Sequence, residues 1–408
     1  MTAFDLDFVR SQFPAFSEPT LQGWAFFENA GGSYPAAATV RRLHEFYLKC
    51  KVQPYGPYPA SRRAGAWMDE SYERIATCLN VEPGEVHFGP STSQNTYVLA
   101  NALRPLMEAG DEIIVTNQDH EANSGAWRRL AATGIAVREW QVDPETGHLD
   151  PADLDNLLSD KTRLVAFPHV SNIVAEINPV AEIAARVRQA GAISVVDGVA
   201  AAPHGLPDVA ALGTDVYMFS SYKSYGPHQG VMVVRPALAE RAANQSHYFH
   251  AGQIHKYFTP AGPDHAQIAA MAGLADYIDA LYTCHFTTNL AADGRARRVH
   301  DLMRAQEIRL AAPLLDYLKG RDDLRLLGPT DPEQRMPTIS VVHARPGEEL
   351  AHDLSVHKIM AGGGDFYSRR LVEALGIDAG HGVLRLSFLH YTAPAEIDQL
   401  IEALDRVL

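Results

Sequence analysis

The sequence predicts an α/β protein in which helices cover a mainly parallel sheet. From residue 110 onward, short apolar strands alternate with helical segments. Continuous apolar strands are typical of a parallel sheet that is buried on both faces. After about residue 260 the alternation gives way to longer helices and fewer strands, which predicts an α+β unit. We therefore expect a large α/β domain followed by a smaller α+β domain.

Length and composition are those of an ordinary globular protein. The chain has 408 residues, of which 46% are hydrophobic and 21% charged, so it can bury a substantial core. Its formal net charge of −14 argues against a nucleic acid or an anionic membrane as the main partner. The sequence contains no apolar run of membrane-spanning length and no signal peptide pattern, so we expect a cytoplasmic protein.

The cysteines and histidines do not form a metal-binding pattern. Cys50, Cys78 and Cys284 lie far apart and show no CxxC spacing. Isolated cysteines are consistent with a reducing cytoplasm. The 18 histidines show no HxxxH spacing, so we expect no metal site.

The N-terminal third begins with an arm and a glycine-containing loop. Residues 1 to about 20 predict a short helix and a packing segment, Phe13-Pro14-Ala15-Phe16. A short strand at residues 24–27 leads into Glu28–Ser33, where paired glycines allow a sharp turn or a close approach to a ligand. Two helices follow at residues 35–50 and 64–80, separated by a stiff loop at Tyr55–Pro59.

Hydrophobic periodicity predicts the remaining elements. Strands are predicted at residues 85–88, 112–116, 136–141, 162–167, 192–196, 216–219, 230–234, 323–328, 336–343 and 383–387. Helices are predicted from Thr96, over residues 126–133, 150–158, 179–190, 264–283, 288–319, 347–358 and 366–375, and from Pro394.

A lysine directly follows the apolar strand Val216–Phe219, in the stretch Ser220-Ser221-Tyr222-Lys223. An amine at the end of a buried strand is shielded from water, which lowers its pKa. Such an amine can form a Schiff base with an aldehyde cofactor, pyridoxal phosphate (PLP). The plainer alternative is a lysine in an exposed loop. PLP also needs a carboxylate, a phosphate site, a flat group against its ring and a cation for the substrate carboxylate.

Three further features meet the needs for a carboxylate, a phosphate site and a cation, and each has a plainer interpretation. Asp197 ends an apolar strand, where it would pair with a pyridinium N–H, cap a helix or form a buried salt bridge. The turn Gly89–Asn95 joins a strand to a helix and predicts an anion site or a simple N-cap. Arg385 lies in an apolar strand, where it would bind a substrate carboxylate or face solvent.

Polar residues follow four strands of the predicted sheet, and these residues are His120, Asn172, Asp197 and Lys223. Right-handed crossovers bring the loops after parallel strands to one edge, where ligands bind. We therefore expect these four side chains to share one site.

These residues, in this order and spacing, resemble the class V aminotransferase and cysteine desulfurase family of fold-type I PLP enzymes. The resemblance extends from Phe27-Glu28-Asn29-Ala30-Gly31 to Arg385. It implies a large domain with a mainly parallel seven-stranded sheet and a smaller α+β C-terminal domain. We assign residues 1–20 to an arm that packs with the small domain, 21–285 to the large domain and 286–408 to the small domain.

The resemblance also implies roles for individual residues. Lys223 would form the Schiff base (aldimine) with PLP, Asp197 would pair with the pyridine nitrogen, and His120 would stack on the ring and assist proton transfer. The implied cofactor-binding set is Thr92, Ser93, His120, Asn172, Asp197, Ser220, Tyr222 and Lys223. The candidate substrate-binding residues are Arg385, Asn29 and Arg63. The implied assembly is a homodimer, a prediction that the arm and the loop at 252–264 favour because neither has an obvious role within one subunit.

The sequence departs from the desulfurase pattern at several positions. Asp197-Gly198-Val199-Ala200 lacks the usual glutamine, and Tyr222 stands where a histidine usually precedes the lysine. The turn Ala261–Asp264 lacks the threonine that often reaches the phosphate of the other subunit. The loop that bears the desulfurase cysteine corresponds to Ala361–Phe366, which contains glycines and Asp365 but no cysteine. We expect the glycine run to make this loop a mobile lid.

The sequence therefore predicts a PLP enzyme that acts on an amino acid or a related amine by transamination or β-elimination. A C–S lyase or an epimerase is the alternative, because either needs only proton movement at carbons next to the Schiff base. A true cysteine desulfurase, which needs a thiolate nucleophile, and a non-catalytic binding relative are weaker alternatives. A nucleotide-binding protein is disfavoured by the absence of GxGxxG and GxxxxGK[ST] motifs.

Overall fold

A computed structural model describes residues 3–408. The strands are β1 (Ala25–Phe26), β2 (Val86–Gly89), β3 (Glu112–Thr116), β4 (Ala136–Trp140), β5 (Thr162–Pro168), β6 (Ile193–Asp197), β7 (Val216–Ser220), β8 (Gly230–Val234), β9 (Leu324–Leu326), β10 (Thr338–His343), β11 (Ile359–Met360), β12 (Gly362–Gly364) and β13 (Val383–Ser387). The helices are α1 (Leu6–Ser11), α2 (Ala37–Lys49), α3 (Pro59–Leu79), α4 (Thr92–Leu103), α5 (Glu121–Arg128), α6 (Pro151–Leu157), α7 (Val180–Gln189), α8 (Val209–Leu212), α9 (Pro236–Ala239), α10 (His265–Ala270), α11 (Ala272–His285), α12 (Ala292–Lys319), α13 (Gly347–Val356), α14 (Arg369–Ala374) and α15 (Pro394–Val407).

Seven strands form the central sheet in the order β2-β8-β7-β6-β5-β3-β4. Strand β8 runs antiparallel to its neighbours β2 and β7, and the other pairs are parallel. The predicted fold class, an α/β protein with a mainly parallel seven-stranded sheet, is therefore confirmed. Because the parallel strands point the same way, the loops that follow them meet at one edge.

Strand β7 shows why the sheet strands are continuous apolar runs. Val216 and Met218 pack into the hydrophobic cluster on one face of the sheet, and Tyr217 and Phe219 pack into the cluster on the other face. Successive side chains of a strand point to opposite faces, so a sheet covered on both sides requires apolar residues at every position. All four residues are fully buried.

Helix α4 begins four residues earlier than its apolar pattern predicts. It starts at Thr92 rather than Thr96, because the Ser91 hydroxyl accepts a hydrogen bond from the Gln94 N–H at 3.2 Å and caps the first turn. A capped first turn tolerates polar residues, so hydrophobic periodicity does not detect it. The earlier start brings the helix N-terminus to the strand edge.

The C-terminal unit contains a second sheet, in the order β12-β13-β10-β9, in which all neighbours are antiparallel. The N-terminal strand β1 pairs in parallel with β11, and Ala25 and Phe27 pack into the hydrophobic cluster of this unit. Ala25 and Phe27 thus pack with the small unit, although the sequence places them within the large domain, whereas Phe26 packs against the cluster of the large unit. Helix α12 contributes Val299 to the core of the large unit and Leu314 to that of the small unit, so it joins the two.

The glycine run that we expected to form a mobile lid is an ordered strand, and that expectation is wrong. Strand β12 pairs with β13 through Gly363 and Leu384. A Cβ atom on Gly363 would overlap the backbone of Gly347, at the start of α13. Glycine is required at this position because the strand lies directly against that helix, which leaves no room for a side chain.

The N-terminal arm packs within the subunit. The Phe13 ring is fully buried and lies 4.7 Å from the Tyr391 ring and 5.1 Å from the Tyr277 ring, centroid to centroid. Arg10 forms an ion pair with Glu396 at 2.8 Å. The arm therefore contacts both units, and our inference that it has no role within one subunit is wrong. Met1 and Thr2 lie outside the described residues. Within residues 3–408, none of the helices combines the length and apolar character that crossing a membrane requires.

Candidate active site

A cavity of about 510 Å³ opens at the carboxyl ends of the parallel strands. Its walls come from the loops after β3, β5, β6 and β7, and from the C-terminal unit. Sequence-predicted residues that line it are Asn29, Thr92, Ser93, His120, Asn172, Asp197, Ser220, Tyr222, Lys223 and Arg385. Arg63 does not line it, because it lies exposed in α3.

Lys223 lies in the turn that follows β7, with its side chain partly exposed to the cavity. Desolvation lowers the pKa of its amine to about 8, and the positive charge of Arg385 acts in the same direction. The negative charges of Asp197 and Glu28 act in the opposite direction. An amine with this pKa has a substantial neutral fraction near neutral pH, so it can act as a nucleophile or accept a proton.

Asp197 is the last residue of β6 and is only 5% exposed. Its Oδ1 atom accepts a hydrogen bond from the Val199 N–H at 2.8 Å. Burial raises the pKa of the carboxyl group to about 6, while this hydrogen bond and the nearby Lys223 charge oppose the rise. A buried carboxylate with one oxygen turned to a cavity is suited to pair with a cationic N–H group.

A second buried carboxylate, Asp119, lies near Asp197 and also lines the cavity. It accepts hydrogen bonds from the His120 N–H at 2.9 Å and from the Asn123 Nδ2 at 2.7 Å. Burial and the charge of Asp197 raise the pKa of Asp119 well above its usual range. Because both carboxyl groups are buried, only one of them is readily ionised before a cation enters the site.

His120 caps helix α5 and projects into the cavity. Its Nδ1 atom accepts a hydrogen bond from the Ala122 N–H at 3.0 Å, which starts the helix before the predicted residue 126. Burial, with the charges of Lys223 and Arg385, lowers the pKa of His120 to about 3, so the ring is neutral. Since Nδ1 is an acceptor, the proton of the neutral ring lies on Nε2. His120 therefore acts as a hydrogen-bond donor at Nε2.

Hydroxyl groups and a helix N-terminus form a candidate phosphate site. The Thr92 and Ser220 hydroxyl oxygens are 2.8 Å apart and both residues are buried, whereas Ser93 is exposed. Thr92 is the first residue of the twelve-residue helix α4, whose free backbone N–H groups and dipole favour an anion. A Cβ atom on Gly230 would overlap the backbone of Ser91, so a glycine is needed where β8 passes this turn.

Asn172 binds the segment that follows β12. Its Nδ2 donates to the Phe366 carbonyl oxygen at 3.1 Å, and its Oδ1 accepts from the Ser368 hydroxyl at 2.6 Å. One Nδ2 hydrogen remains for a ligand. Asn172 thus connects the large-domain edge to the C-terminal unit, in addition to the cofactor contact that the resemblance implies.

Arg385 is buried in β13 and forms an ion pair with Glu28. Its Nη2 atom lies 2.9 Å from Glu28 Oε1, and its guanidinium group lies 3.6 Å from the centre of the Phe366 ring. Its Nη1 atom donates to the Asn172 carbonyl oxygen at 3.4 Å. A buried, oriented guanidinium group at a cavity wall is suited to bind a carboxylate.

The side chains of Asn29 and Tyr222 contact other protein groups at the cavity wall. Asn29 Nδ2 donates to the carbonyl oxygen of Ser387 at 3.1 Å, and its Oδ1 accepts from the Tyr391 hydroxyl. The Tyr222 ring stacks on His228, with 4.5 Å between the centroids. These contacts orient the loop and the turn on either side of the cavity.

None of the cavity-lining residues in the described chain is a cysteine. Cys50 and Cys78 are buried, and burial raises the pKa of both thiols. Cys284 is exposed on α11, away from the cavity. Asp365 accepts a hydrogen bond from the Tyr367 N–H at 2.9 Å, and it is likewise not among the cavity-lining residues.

Several cavity residues had no role predicted from the sequence. Glu28, Asp119 and His204 all line the cavity. Asp119 directly precedes His120 after β3, so its position at the strand edge was a usable signal. Glu28 lies far away in sequence, and nothing in the local pattern distinguishes it from a surface residue.

The donor set fits PLP. The cavity offers an amine of lowered pKa, a buried carboxylate at a strand end, hydroxyl groups at a helix N-terminus and a neutral imidazole. Lys223, Asp197, the Thr92–Ser220 pair and His120 would hold its aldehyde carbon, pyridine nitrogen, phosphate and ring face, respectively. Within the described chain, no cluster of three or more His, Cys, Asp or Glu side chains has the geometry to hold a metal ion.

Comparisons with known proteins agree with this donor set. The protein-family model of the class V aminotransferases matches residues 25–400 of this chain. The chain is 33% identical to an aminotransferase-like protein, FGM3, of Gibberella zeae, over 100% of this chain and 99% of the relative. It is 30% identical to a probable cysteine desulfurase of Pseudomonas aeruginosa, over 98% of this chain and 97% of the relative.

Solved structures show the same fold. The cysteine desulfurase of Thermococcus onnurineus superposes with a TM-score of 0.85 at 23% identity, covering 100% of this chain and 99% of that one. The cysteine desulfurase CsdA of Escherichia coli gives a TM-score of 0.81 at 22% identity, covering 99% and 98%. At these identities the likeness establishes the fold.

Proposed function

The chain belongs to the class V aminotransferase family of PLP-dependent enzymes, and we propose that it acts on an amino acid or a related amine without a cysteine nucleophile. The observation that carries this proposal is the composition of one cavity. Lys223, Asp197 and His120 line it together with Arg385, and no described cysteine does. The proposed reaction is transamination or β-elimination.

Proton transfer at the substrate is assigned to Lys223. PLP, when bound, supplies an electron-accepting ring that stabilises negative charge on the substrate carbon. An amine whose pKa is lowered to about 8 can take a proton from carbon and return it near neutral pH. The Nε2–H of His120 provides a donor in the same cavity.

The remaining residues position the reactants. Asp197, whose carboxylate is stabilised by a cation opposite it, holds the pyridine nitrogen protonated. Arg385 holds the substrate carboxylate, and its contact with Phe366 keeps the guanidinium plane in place. Thr92, Ser220 and the start of α4 hold the phosphate group.

The experiment that tests this proposal is a product analysis with a panel of amino acids. Transamination converts the cofactor to its pyridoxamine form and releases a 2-oxo acid, whereas β-elimination from a three-carbon amino acid releases the β-substituent together with ammonia and pyruvate. Racemisation of the substrate without either product would indicate an epimerase instead.

The same assay with cysteine as the substrate tests the proposal that the enzyme has no thiol nucleophile. Supplied with cysteine and a reductant, the enzyme is expected not to form alanine together with sulfide. A variant lacking Cys50, Cys78 and Cys284 should retain the wild-type activity. Rapid alanine and sulfide formation that disappears in this variant would contradict the proposal.

We also propose that the enzyme is a cytoplasmic homodimer. The support for dimerisation is a set of exposed apolar residues, which are Tyr47, Leu48, Tyr55, Tyr58, Tyr248 and Phe249. Tyr248 is 89% exposed and Leu48 is 71% exposed, and large exposed apolar groups favour association. The support for the compartment is that all three cysteines are unpaired.

A further inference from the structure

We propose that Glu28 is a specificity-determining residue that occupies Arg385 in the resting enzyme and must be displaced by a substrate carboxylate. This inference rests on the proposed function, in which Arg385 binds that carboxylate. Glu28 would then impose a penalty on every ligand that carries a carboxylate and none on ligands that lack one.

The contacts of Arg385 leave Glu28 as its charged partner. Glu28 Oε1 lies 2.9 Å from Nη2, and the Phe366 ring covers the guanidinium plane at 3.6 Å. Nη1 reaches only a backbone carbonyl oxygen at 3.4 Å, and the buried Nε atom has no partner among the described residues. The Arg385 side chain is 3% exposed, whereas that of Glu28 is 28% exposed. Glu28 is therefore the partner with room to move.

The carboxylate of Glu28 lies between two glycines. A Cβ atom on Gly31 would lie 2.7 Å from Oε1, and a Cβ atom on Gly362 would overlap Oε2. The absence of side chains at these two positions is what allows Glu28 to reach Arg385. The Glu28 backbone is held by a bridge to Ser387 in β13, so the motion required of it is confined to its side chain.

The resting contact is incompletely satisfied. Oε2 of Glu28 is buried without a hydrogen-bond partner in the described chain. Leaving a buried carboxylate oxygen unpaired costs free energy, which lowers the cost of releasing Glu28 toward the open side of the cavity.

A second carboxylate that approaches Arg385 is repelled by the negative charge of Glu28. A second anion held within about 4–6 Å of the Glu28 carboxylate is repelled by its charge. A substrate carboxylate can therefore take the Nη2 contact of Arg385 only after Glu28 leaves it. The affinity of the site for a carboxylate is reduced by the free energy of the Glu28–Arg385 contact.

Two aminooxy compounds separate the effect of Glu28 on carboxylate binding from any effect on the reaction at the cofactor. Aminooxyacetate and O-methylhydroxylamine both attack the carbon of the cofactor Schiff base through the aminooxy nitrogen, forming a C=N bond and releasing the Lys223 amine. Only aminooxyacetate carries a carboxylate. The ratio of their dissociation constants, followed by absorbance of the holoenzyme, reports the carboxylate site.

In the variant Glu28→Gln the ratio of the two dissociation constants should shift about tenfold or more in favour of aminooxyacetate, because O-methylhydroxylamine reports separately any effect of the lost charge on the Lys223 Schiff base. Glu28→Asp keeps the charge but loses the reach, so an intermediate gain is expected, and it carries the test if Glu28→Gln fails to fold. Glu121→Gln is the matched control: Glu121 lines the same cavity but pairs with Arg370 at 3.5 Å, so the probe ratio should not change.

The outcomes distinguish this inference from the function on which it rests. An unchanged or weaker affinity of Glu28→Gln for aminooxyacetate, in a protein that reacts normally with O-methylhydroxylamine, overturns the role of Glu28 alone. Arg385→Gln should abolish the preference between the probes, and if it does not, Arg385 is not the carboxylate site. A chain that binds no PLP overturns both the proposed function and this inference.

Discussion

Single residues in this cavity owe their chemistry to desolvation more than to any one neighbour. Burial is the largest influence on the pKa values of Lys223, Asp197 and His120, lowering that of the amine and the imidazole and raising that of the carboxyl group. All three shifts favour the neutral form, as expected when charged groups leave water. A cofactor that brings a cationic nitrogen would favour the ionised form of Asp197.

Asp197 is expected to be more important for turnover than for cofactor binding. In Asp197→Ala, turnover should fall by about two to three orders of magnitude, because the carboxylate that stabilises the protonated pyridine is lost. Cofactor should still bind through Lys223 and the phosphate site, which absorbance spectra will show. Asp365→Asn, outside the cavity lining, is the control and should keep wild-type turnover. A near-normal rate for Asp197→Ala would contradict the assigned role.

Lys223 should make the stability of the cofactor-free protein depend on pH. Its amine has a pKa of about 8 in the folded protein against the ordinary lysine value of 10.5, so between these two pH values the unfolded chain binds more protons. The contribution of Lys223 to the free energy of unfolding should therefore rise by about 2 to 3 kcal/mol from pH 8 to pH 10.5. Urea unfolding of wild type and Lys223→Met across this window measures the difference. Parallel curves for the two proteins would exclude the lowered pKa.

At the scale of secondary-structure elements, the shape of the cavity depends on where its helices begin and on how closely its strands pack against neighbouring elements. Helices α4 and α5 begin at side-chain caps, Ser91 and His120, and both caps lie at the ends of sheet strands. The caps place the polar first turns beside the ligand edge, where free N–H groups are available. The segment after β12 contributes Phe366 and Tyr367 to the same cavity, and glycines let β12 itself lie against helix α13.

Gly363 should be required for stability. A Cβ atom in Gly363→Ala would overlap the Gly347 backbone, so the variant should lose about 1 to 3 kcal/mol of unfolding free energy. The matched control is Gly262→Ala, since no heavy atom lies within 4 Å of a Cβ at that position; its change should stay within about 0.5 kcal/mol. Urea denaturation measures both. Equal stabilities for the two variants would contradict the close packing of β12 against α13.

At the scale of the whole molecule, two units meet at the cavity. The large unit supplies Lys223, Asp197 and His120, and the small unit supplies Arg385, with Glu28 from the N-terminal segment that packs on it. The arm connects the units through Phe13 and Arg10. Any motion between the units would therefore change the distance between the proposed substrate-binding and proton-transfer groups.

The proposed homodimer should bury the exposed apolar residues. Light scattering of the wild type should give twice the mass of one chain, and the double variant Leu48→Glu/Tyr248→Glu should shift the mass toward that of the monomer because burying charges is costly. Val356→Glu is the control, since Val356 is 74% exposed on α13 of the other unit. A wild-type protein that is monomeric and fully active would rule out the dimer.

The local sequence pattern was sufficient to predict a residue's place in the site wherever that place depends only on one strand and the loop after it. Apolar strands followed by His120, Asn172, Asp197 and Lys223 predicted both the sheet and the edge at which these residues line one cavity, since parallel strands with right-handed crossovers allow little else. The continuous apolar character of β7 reflects its burial on both faces. Helix starts were less predictable, because a capping side chain replaces the hydrophobic signal.

The sequence by itself determined the fold class and the line of groups along the sheet edge, because these follow from periodicity and from spacing within short segments, and it carried the resemblance that implied the family. Only the tertiary structure decided which distant residues face one another. It paired Glu28 with Arg385, ordered the glycine strand against α13, packed the arm within the subunit and left Arg63 outside the cavity. The contacts of Glu28 with Arg385 and of Phe13 with Tyr391 join residues hundreds of positions apart, and their geometry depends on the packing of the two units rather than on any local pattern.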